Sequence, residues 1–441
     1  MIDLEIAYRS PIGLHDNPRN VRTHSARQIR QIARSITAFG FANPVLVDDA
    51  DVLIAGHGRL AAARQLGLAR VPVIRLSHLS DAQKRGLMLA DNRISENAGW
   101  DAPMLARELS DLSSIELDFD IEVTGFDMAE IDIVIEGIGD DHAVDQSEMA
   151  PEPDPGALAI TSLGDLWQLG AHRILCGDAR DPASFTQLMG TDKAAAGFTD
   201  PPYNVPIQGH VSGKGAVQHR EFAEGSGEMS SGEFETFLSE ALGHAAAASR
   251  PGAVWFVCMD WRHVRELTAA GQKEIGPQLN LCVWAKTNGG MGSLYRSQHE
   301  LVFVFAKSGG RHRNNVQLGR FGRNRTNVWR YAGVNTFRAG RMDELRAHPT
   351  AKPVAMVKDA LLDVTKRGDI VLDPFGGAGA TLIAAARSGR RARLIEIDPA
   401  YVDVMLRRWR DETGDDPVRI GDGVRFSTLQ GAADVREAAH V

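Results

Sequence analysis

Apolar positions recur along this chain with two periods, and the shifts between them outline two folding units. Ile29, Ile32, Ala33, Ile36 and Phe39 fall at helical spacing, and Gly40 ends that helix. Val45-Leu46-Val47 and Val52-Leu53-Ile54 read as strands on either side of an acidic turn at 48–51. Ala55-Gly56-His57-Gly58-Arg59 then opens an alanine-rich helix that stops at Gly67. Val71-Pro72-Val73-Ile74 predicts a further strand, and its proline predicts an edge position. Ser80 with Gln83, and Asp127 with Glu130, have capping-box spacing for two later helices. Residues 1–138 thus predict a small α/β unit.

No apolar period survives between 139 and 157, where prolines and acids predict a flexible linker. A second unit is expected over 158–415, with 416–441 as a C-terminal tail. Trp167-Gln168-Leu169 and His172 to Cys176 predict a hairpin leading into Gly177-Asp178, and 194–199 predicts a strand running into Asp200-Pro201-Pro202-Tyr203. The polar, glycine-rich stretch 207–230 reads as a loop, and Ser230 with Glu233 caps a helix through Phe234, Phe237, Leu238 and Leu242. Val254 to Val257 and Leu301 to Phe305 are buried strands by length and composition. Ile370-Val371-Leu372 is another, followed by a glycine-rich turn and the helix from Leu382. Leu394-Ile395 ends in Glu396, and Asp398 with Pro399 starts a helix reaching Trp409.

The turn Asp373-Pro374-Phe375-Gly376-Gly377-Ala378-Gly379-Ala380-Thr381 is a half-site for a nucleoside. Its glycines let backbone approach a ligand, the helix start offers N–H groups, and Glu396 lies where such folds place a ribose-binding carboxylate. It lacks the lysine of a phosphate-binding P-loop, and Leu382 stands at the third glycine of a dinucleotide fingerprint. In Asp200-Pro201-Pro202-Tyr203, two prolines fix φ twice and leave rigid carbonyls facing the ligand. Asp200 and the Pro201 carbonyl can accept both hydrogens of an exocyclic amino group, which frees its lone pair for attack. Tyr203 offers a stacking face for the base, a contact worth about 1–3 kcal/mol. Such a base must first leave the duplex.

With 441 residues, two or three domains are expected, and 43% hydrophobic with 24% charged residues is a globular composition. No apolar run is long enough for a bilayer span, and no secretory leader is read at the N-terminus. Cys176, Cys258 and Cys282 lie far apart without a C-x-x-C pair, which points to a reducing cytoplasm and away from structural zinc; no metal is called for. The net charge of −8 excludes a nucleic-acid-coating polycation, but between 309 and 341 the arginines 311, 313, 320, 323, 325, 330, 338 and 341 occur among His312, Phe321, Trp329 and Tyr331. That aromatic interleaving favours nucleic-acid contact over a plain solvated face.

Residues 1–138 resemble the ParB/sulfiredoxin-like domain through Asn17-Pro18-Arg19, Gly56-His57-Gly58-Arg59-x-x-Ala62 and Asp91-Asn92-Arg93. His57 and Gly58 replace the first two residues of the Glu-Arg-Arg found in ParB relatives. Sulfiredoxins carry cysteine at the position of His57, so sulfinic-acid repair is excluded. Gly56, His57 and Arg59 are the motif's candidate residues, Arg59 either binding a phosphate or supporting the turn, with Asn92 and Arg93 nearby.

Residues 163–412 resemble the amino-methylating DNA methyltransferases. The resemblance implies a Rossmann-like S-adenosylmethionine-dependent methyltransferase domain, preceded here by the small ParB-like α/β domain. It assigns catalysis to Asp200, Pro201, Pro202 and Tyr203. It assigns cofactor contacts to Asp178, Lys352, Asp373, Phe375, Gly376, Gly377, Gly379, Thr381, Glu396 and Asp398, with 348–353 as a further cofactor motif. Catalytic motif, recognition region (about 204–345) and cofactor loop follow in the beta-group order, and Ala380 is a one-residue extension before the usual threonine. Asp rather than Ser at 200 resembles the adenine-N6 enzymes more than the cytosine-N4 ones. Lys286 and Glu300 match the strand pair beside the target base, and Lys286, Arg296, Arg323, Arg325 and Arg330 are candidate DNA contacts.

The expected activity is site-specific methyl transfer to adenine N6 in double-stranded DNA, of the restriction-modification kind, in the cytoplasm at the nucleoid. Cytosine N4, RNA or a free amine stay open as targets, as does a ParB-like DNA-binding regulator with a cofactor-sensing second domain. A nucleotide at the N-terminal domain and a homodimer also stay open.

Overall fold

The computed structural model describes residues 4–115, 117–136, 153, 158–205, 227–286, 294–319, 323, 325–331 and 352–438. The linker read at 139–157 (Pro153 apart), most of the loop read at 207–230, residues 348–351 and Arg320, Arg338 and Arg341 lie outside them. The chain divides into two compact units, Met1–Gly139 and Asp140–Val441.

The first unit runs β1 (Ile6–Arg9), α1 (Ala26–Phe39), β2 (Val45–Val47), β3 (Leu53–Ala55), α2 (His57–Gln65), β4 (Val71–Arg75), α3 (Asp81–Glu96), α4 (Ala102–Ser114) and α5 (Met128–Glu136). Ser25 caps α1 by accepting from the Gln28 N–H, and Gly40 closes it with φ of 78°. The sheet order is β1-β4-β2-β3, so β4 is interior and the edge position expected from Pro72 is corrected. β1 pairs antiparallel along it, with Tyr8 opposite Pro72; a proline withdraws one ladder donor, which costs a bond and not the strand. Leu14, Val45, Leu53, Leu60 and Val73 fill the core beneath this sheet. The helices α4 and α5 build a separate small core from Leu109, Ile121, Met128 and Ile131.

The second unit runs β5 (Leu166–Leu169), β6 (His172–Cys176), α6 (Pro182–Met189), β7 (Ala194–Thr199), α7 (Ser231–Ala247), β8 (Ser249–Met259), α8 (Val264–Glu274), β9 (Gln278–Ala285), β10 (His299–Ala306), β11 (Val328–Arg330), α9 (Val354–Val364), β12 (Ile370–Asp373), α10 (Ala380–Arg387), β13 (Arg391–Glu396), α11 (Pro399–Thr413), β14 (Val418–Arg419) and α12 (Phe426–Ala438). One ten-stranded sheet takes the order β11-β9-β10-β8-β7-β12-β13-β6-β5-β14. The five central strands β8, β7, β12, β13 and β6 are parallel. Their apolar runs are continuous because both faces are covered. Along β8, Val254, Phe256 and Cys258 join the core with α9, α10 and α11. Trp255, Val257 and Met259 point the other way into the core with α6, α7 and α8.

Two boundaries are corrected. The C-terminal stretch is not a tail: β14 pairs with β5, and the fully buried Phe426 meets the Trp167 ring edge-on at 5.7 Å. Within the region assigned to target recognition at 204–345, strands β8, β9 and β10 belong to the central sheet. No helix among the described residues is long and apolar enough to cross a membrane.

Candidate active site

Four sequence motifs stand at the carboxyl ends of four adjacent parallel strands. Asp178 follows β6, Glu396 ends β13, the glycine loop follows β12, and Asp200 follows β7. In open α/β sheets that edge is where ligands bind.

The glycine loop folds tightly against β13. The Gly376 N–H donates to the Ile395 carbonyl at 2.8 Å, and the Gly379 N–H to the Gly376 carbonyl at 2.9 Å. Gly379 has φ of 83°, and a Cβ there would stand 2.8 Å from Met405 Cγ. Backbone geometry and space both demand glycine. The Gly377 N–H donates to Glu396 Oε2 at 2.7 Å, while Glu396 Oε1 accepts from the Asp398 N–H at 2.9 Å. Burial pushes the Glu396 carboxyl up to about 7 against those two amides. The Ile397 backbone N–H also lowers it; a carboxylate offers about four acceptor sites, so Glu396 keeps room for a hydroxyl.

The other residues assigned to the cofactor are placed differently. Asp373 accepts from the Thr199 hydroxyl (2.9 Å), the Thr381 hydroxyl (2.7 Å) and the Phe375 N–H (3.1 Å). Asp373 and Thr381 are buried, and their side chains tie the loop to β7. Burial pushes Asp373 up to about 7. Asp398 caps α11 through the Ala400 N–H. Phe375 leans on the Phe237 ring, 5.8 Å between centroids. Asp178 takes the Arg180 guanidinium at 2.9 Å; burial opposes its charge, but the Arg180 hydrogen bonds outweigh that and hold it below the usual range.

At the end of β7, Asp200 lies in a cluster of charges that sequence reasoning did not assemble. The Tyr203 hydroxyl stands 2.6 Å from Asp200 Oδ1 and 3.0 Å from Glu300 Oε2. The Lys352 ammonium donates to Asp200 Oδ2, and it lies 3.1 Å from Glu300 Oε2. Lys286 donates to Glu300 Oε1. The β9–β10 ladder sets these partners, pairing Glu300 with Trp284, and the Lys286 N–H donates to the Gln298 carbonyl at 2.9 Å. The Lys352 side chain is only 4% exposed. Among its contacts are the Asp200 and Glu300 carboxylates. Burial raises Asp200, Lys352 pulls it down and Glu300 raises it, leaving it above the usual carboxylate range. Burial also opposes ionisation of Glu300, but two ammonium groups outweigh that and hold it low. Tyr203 is raised well above its ordinary value by burial and both carboxylates. Pro201 is buried. Asn204, which the sequence did not single out, has φ of 52°. Its amide bonds the Met229 carbonyl at 2.7 Å, anchoring the start of α7 behind the motif. An Asn, a residue that tolerates left-handed backbone, directly after Pro-Pro-Tyr is the signal that could have marked it.

The candidate DNA contacts divide. Arg296 and Arg330 are exposed, and Lys286 belongs to the cluster above. Arg323 and Arg325 are held by carboxylates. Arg323 bonds Asp363 Oδ1 at 3.0 Å and Asp359 Oδ1 at 3.2 Å. Arg325 bonds Asp363 Oδ2 at 3.0 Å, Asp359 Oδ2 at 2.9 Å and the Tyr331 hydroxyl at 2.6 Å. Two acids one turn apart on α9 neutralise them. Arg325→Ala should therefore destabilise the second unit by about 3 kcal/mol, the low end for breaking a buried pair, read as an unfolding midpoint in urea. Unchanged stability with weakened DNA binding would return Arg325 to the DNA surface.

In the first unit, Gly56 starts α2 with φ of 97°, and the Arg59 guanidinium donates to the Pro44 carbonyl at 3.2 Å. Burial lowers both His57 and Arg59. His57 Nε2 and Arg59 Nε are buried without a hydrogen-bond partner in the described structure. Asn92 bonds its own helix at the Met88 carbonyl, and Arg93 pairs with Glu96.

Comparison with known proteins follows these units. Residues 195–407 match the DNA methylase family, 10–93 the ParB N-terminal domain, and 103–163 the ParB-methyltransferase HTH domain. The last falls on α4 and α5 and runs across the stretch read as linker, a domain the sequence reading missed. The ParB-like nuclease domain-containing protein YnaK of Escherichia coli is 49% identical over 82 residues, 19% of this chain and 94% of that protein. The type II methyltransferase M.HpaI of Haemophilus parainfluenzae is 24% identical over 255 residues, 55% of this chain and 75% of that protein. The DNA adenine methyltransferase YhdJ of Escherichia coli is 44% identical over 82 residues, 19% of this chain and 26% of that protein.

Proposed function

We propose, for a chain that belongs to the N6/N4 DNA methylase family and carries a ParB N-terminal domain, that it methylates adenine N6 in double-stranded DNA with S-adenosylmethionine. The observation that carries this reading is that Asp200 and Tyr203 directly follow β7, while the glycine loop directly follows the neighbouring parallel strand β12. The loop's close backbone and the remaining acceptor capacity of Glu396 suit the nucleoside half of the cofactor. Bound there, the cofactor supplies an electrophilic methyl on a sulfonium.

The chain's own residues supply alignment and a prepared acceptor. Asp200 spends one acceptor site on Tyr203 and one on Lys352, leaving two of about four for an amino group. The aspartate at this position and the likeness to the adenine methyltransferase YhdJ support adenine over cytosine. The deciding experiment incubates duplex DNA with the protein and isotope-labelled S-adenosylmethionine, then digests to nucleosides for mass spectrometry. Labelled N6-methyl-2′-deoxyadenosine is expected; N4-methyl-2′-deoxycytidine alone would overturn the choice of base.

In the first unit, the unpartnered nitrogens of His57 and Arg59 at the start of α2 suit a phosphate of nucleotide or DNA. Tethering such a site to the second unit raises local DNA concentration. A protein beginning near residue 155 should keep the turnover number while its KM for DNA rises, since every methylation motif lies beyond that point. Steady-state kinetics at matched salt reads this. A folded, cofactor-binding truncation without turnover would make the first unit part of the active site.

A further inference from the structure

We propose that Lys352 is a positioning residue for methyl transfer: it aims the Asp200 carboxylate and keeps it ionised, with Glu300 as the counterweight that holds Lys352 in place. The inference rests on the methyl-transfer reading of Asp200.

Lys352 is a lysine with almost no solvent contact, inside a site that must accept hydrogens from an uncharged base. A buried ammonium survives only when paired. Here it reaches two carboxylates on different strands, Asp200 after β7 and Glu300 on β10. The Tyr203 and Trp284 rings flank it, 5.3 Å and 6.0 Å from the nitrogen. Lys286 closes the other side of Glu300. Two ammonium groups therefore balance two carboxylates, and the cluster is neutral as a whole. The groups facing Asp200 are Lys352, Glu300 and Tyr203, with the Cys258 thiol of β8 and Asp373 of β12 behind them.

The geometry gives the two partners opposite signs. Asp200 must be ionised to accept amino hydrogens, so activity falls as pH drops through its pKa. Lys352 lowers that pKa and Glu300 raises it. Tyr203 adds a constraint: with one proton and two carboxylates in reach, it fixes Asp200 only while donating to it. Lys352, bridging both carboxylates, stops them from rotating apart.

The test compares Lys352→Met, Lys352→Arg and Glu300→Gln with the wild type in the full chain. Expected for Lys352→Met is an acid limb of kcat moved up by about 1–3 units, a lower kcat, and an unchanged dissociation constant for S-adenosylmethionine. Lys352→Arg should restore most of the limb, and Glu300→Gln should move it downward. The Asp200 titration, followed by carbon NMR of carboxyl-labelled protein, reads the same shifts without turnover. An unmoved Asp200 titration in Lys352→Met, or cofactor binding lost in proportion to rate, overturns the proposal. If Lys352→Met does not fold, Glu300→Gln decides alone, and an upward or absent shift overturns it. If wild-type protein transfers no methyl to DNA while the Asp200 shifts stand, the functional reading has failed and the electrostatic role of Lys352 has not.

Discussion

Asp200→Ala should reduce methyl transfer by at least about 10²–10⁴-fold, the span for removing a positioned proton acceptor, while cofactor affinity stays near that of the wild type. The two sites are physically separable. Among the described residues Asp200 bonds Tyr203 and Lys352, whereas the glycine loop is held by Ile395, Glu396 and the Asp373 network. The variant should also fold, because Lys352 keeps Glu300 as a partner and is not left as a lone buried charge. Isothermal calorimetry with S-adenosylmethionine beside a single-turnover assay separates binding from chemistry. Loss of cofactor binding in this variant would mean that Asp200 serves the glycine loop and not the base.

Gly379→Ala carries the second large effect, and for the opposite reason. A left-handed φ costs a non-glycine residue about 1–2 kcal/mol, and the added methyl would press into Met405 at 2.8 Å. Relieving that contact shifts α10 or α11, for a further 1–3 kcal/mol or so. The loop would open from Glu396, so cofactor affinity should fall at least about tenfold, with a lower melting temperature. Gly40, also at positive φ but with open space beside it, is the control: Gly40→Ala should cost stability alone. A Gly379→Ala protein with wild-type affinity would show that the loop adapts.

Much of this was readable from residue order. Strong local signals carried through: the capping box at Ser80 and Gln83, the continuous apolar run of β8, and motifs that each follow a strand. Cooperation between distant residues was hidden. Nothing near Arg323 and Arg325 indicates that Asp359 and Asp363 neutralise them, because those acids lie on the following helix. Arginine runs look alike in sequence whether their counter-charges are phosphates or carboxylates. Lys352 was placed by its neighbours in the chain, while its function is set by Asp200 and Glu300 across the sheet. The four-residue β1, with mostly exposed positions, lacks the alternation that would announce it. The two-residue β14 is too short to carry a period, and Phe426 is a single aromatic among polar residues.

The order of strands also sets a timetable for synthesis. In the finished sheet β12 and β13 lie between β7 and β6, yet they are translated last of the four. At ribosomal speeds of about 5–20 residues per second, the wait from residue 199 to residue 370 is roughly 10–30 s. During that interval the inner edges of β6 and β7 have no partners, and the nascent chain is exposed to mispairing. The first unit can fold while the second waits. Asp200 and the glycine loop meet only when the central pair inserts, so a ribosome-bound or prematurely ended chain lacking β12 can hold the folded first unit without the capacity to modify a base.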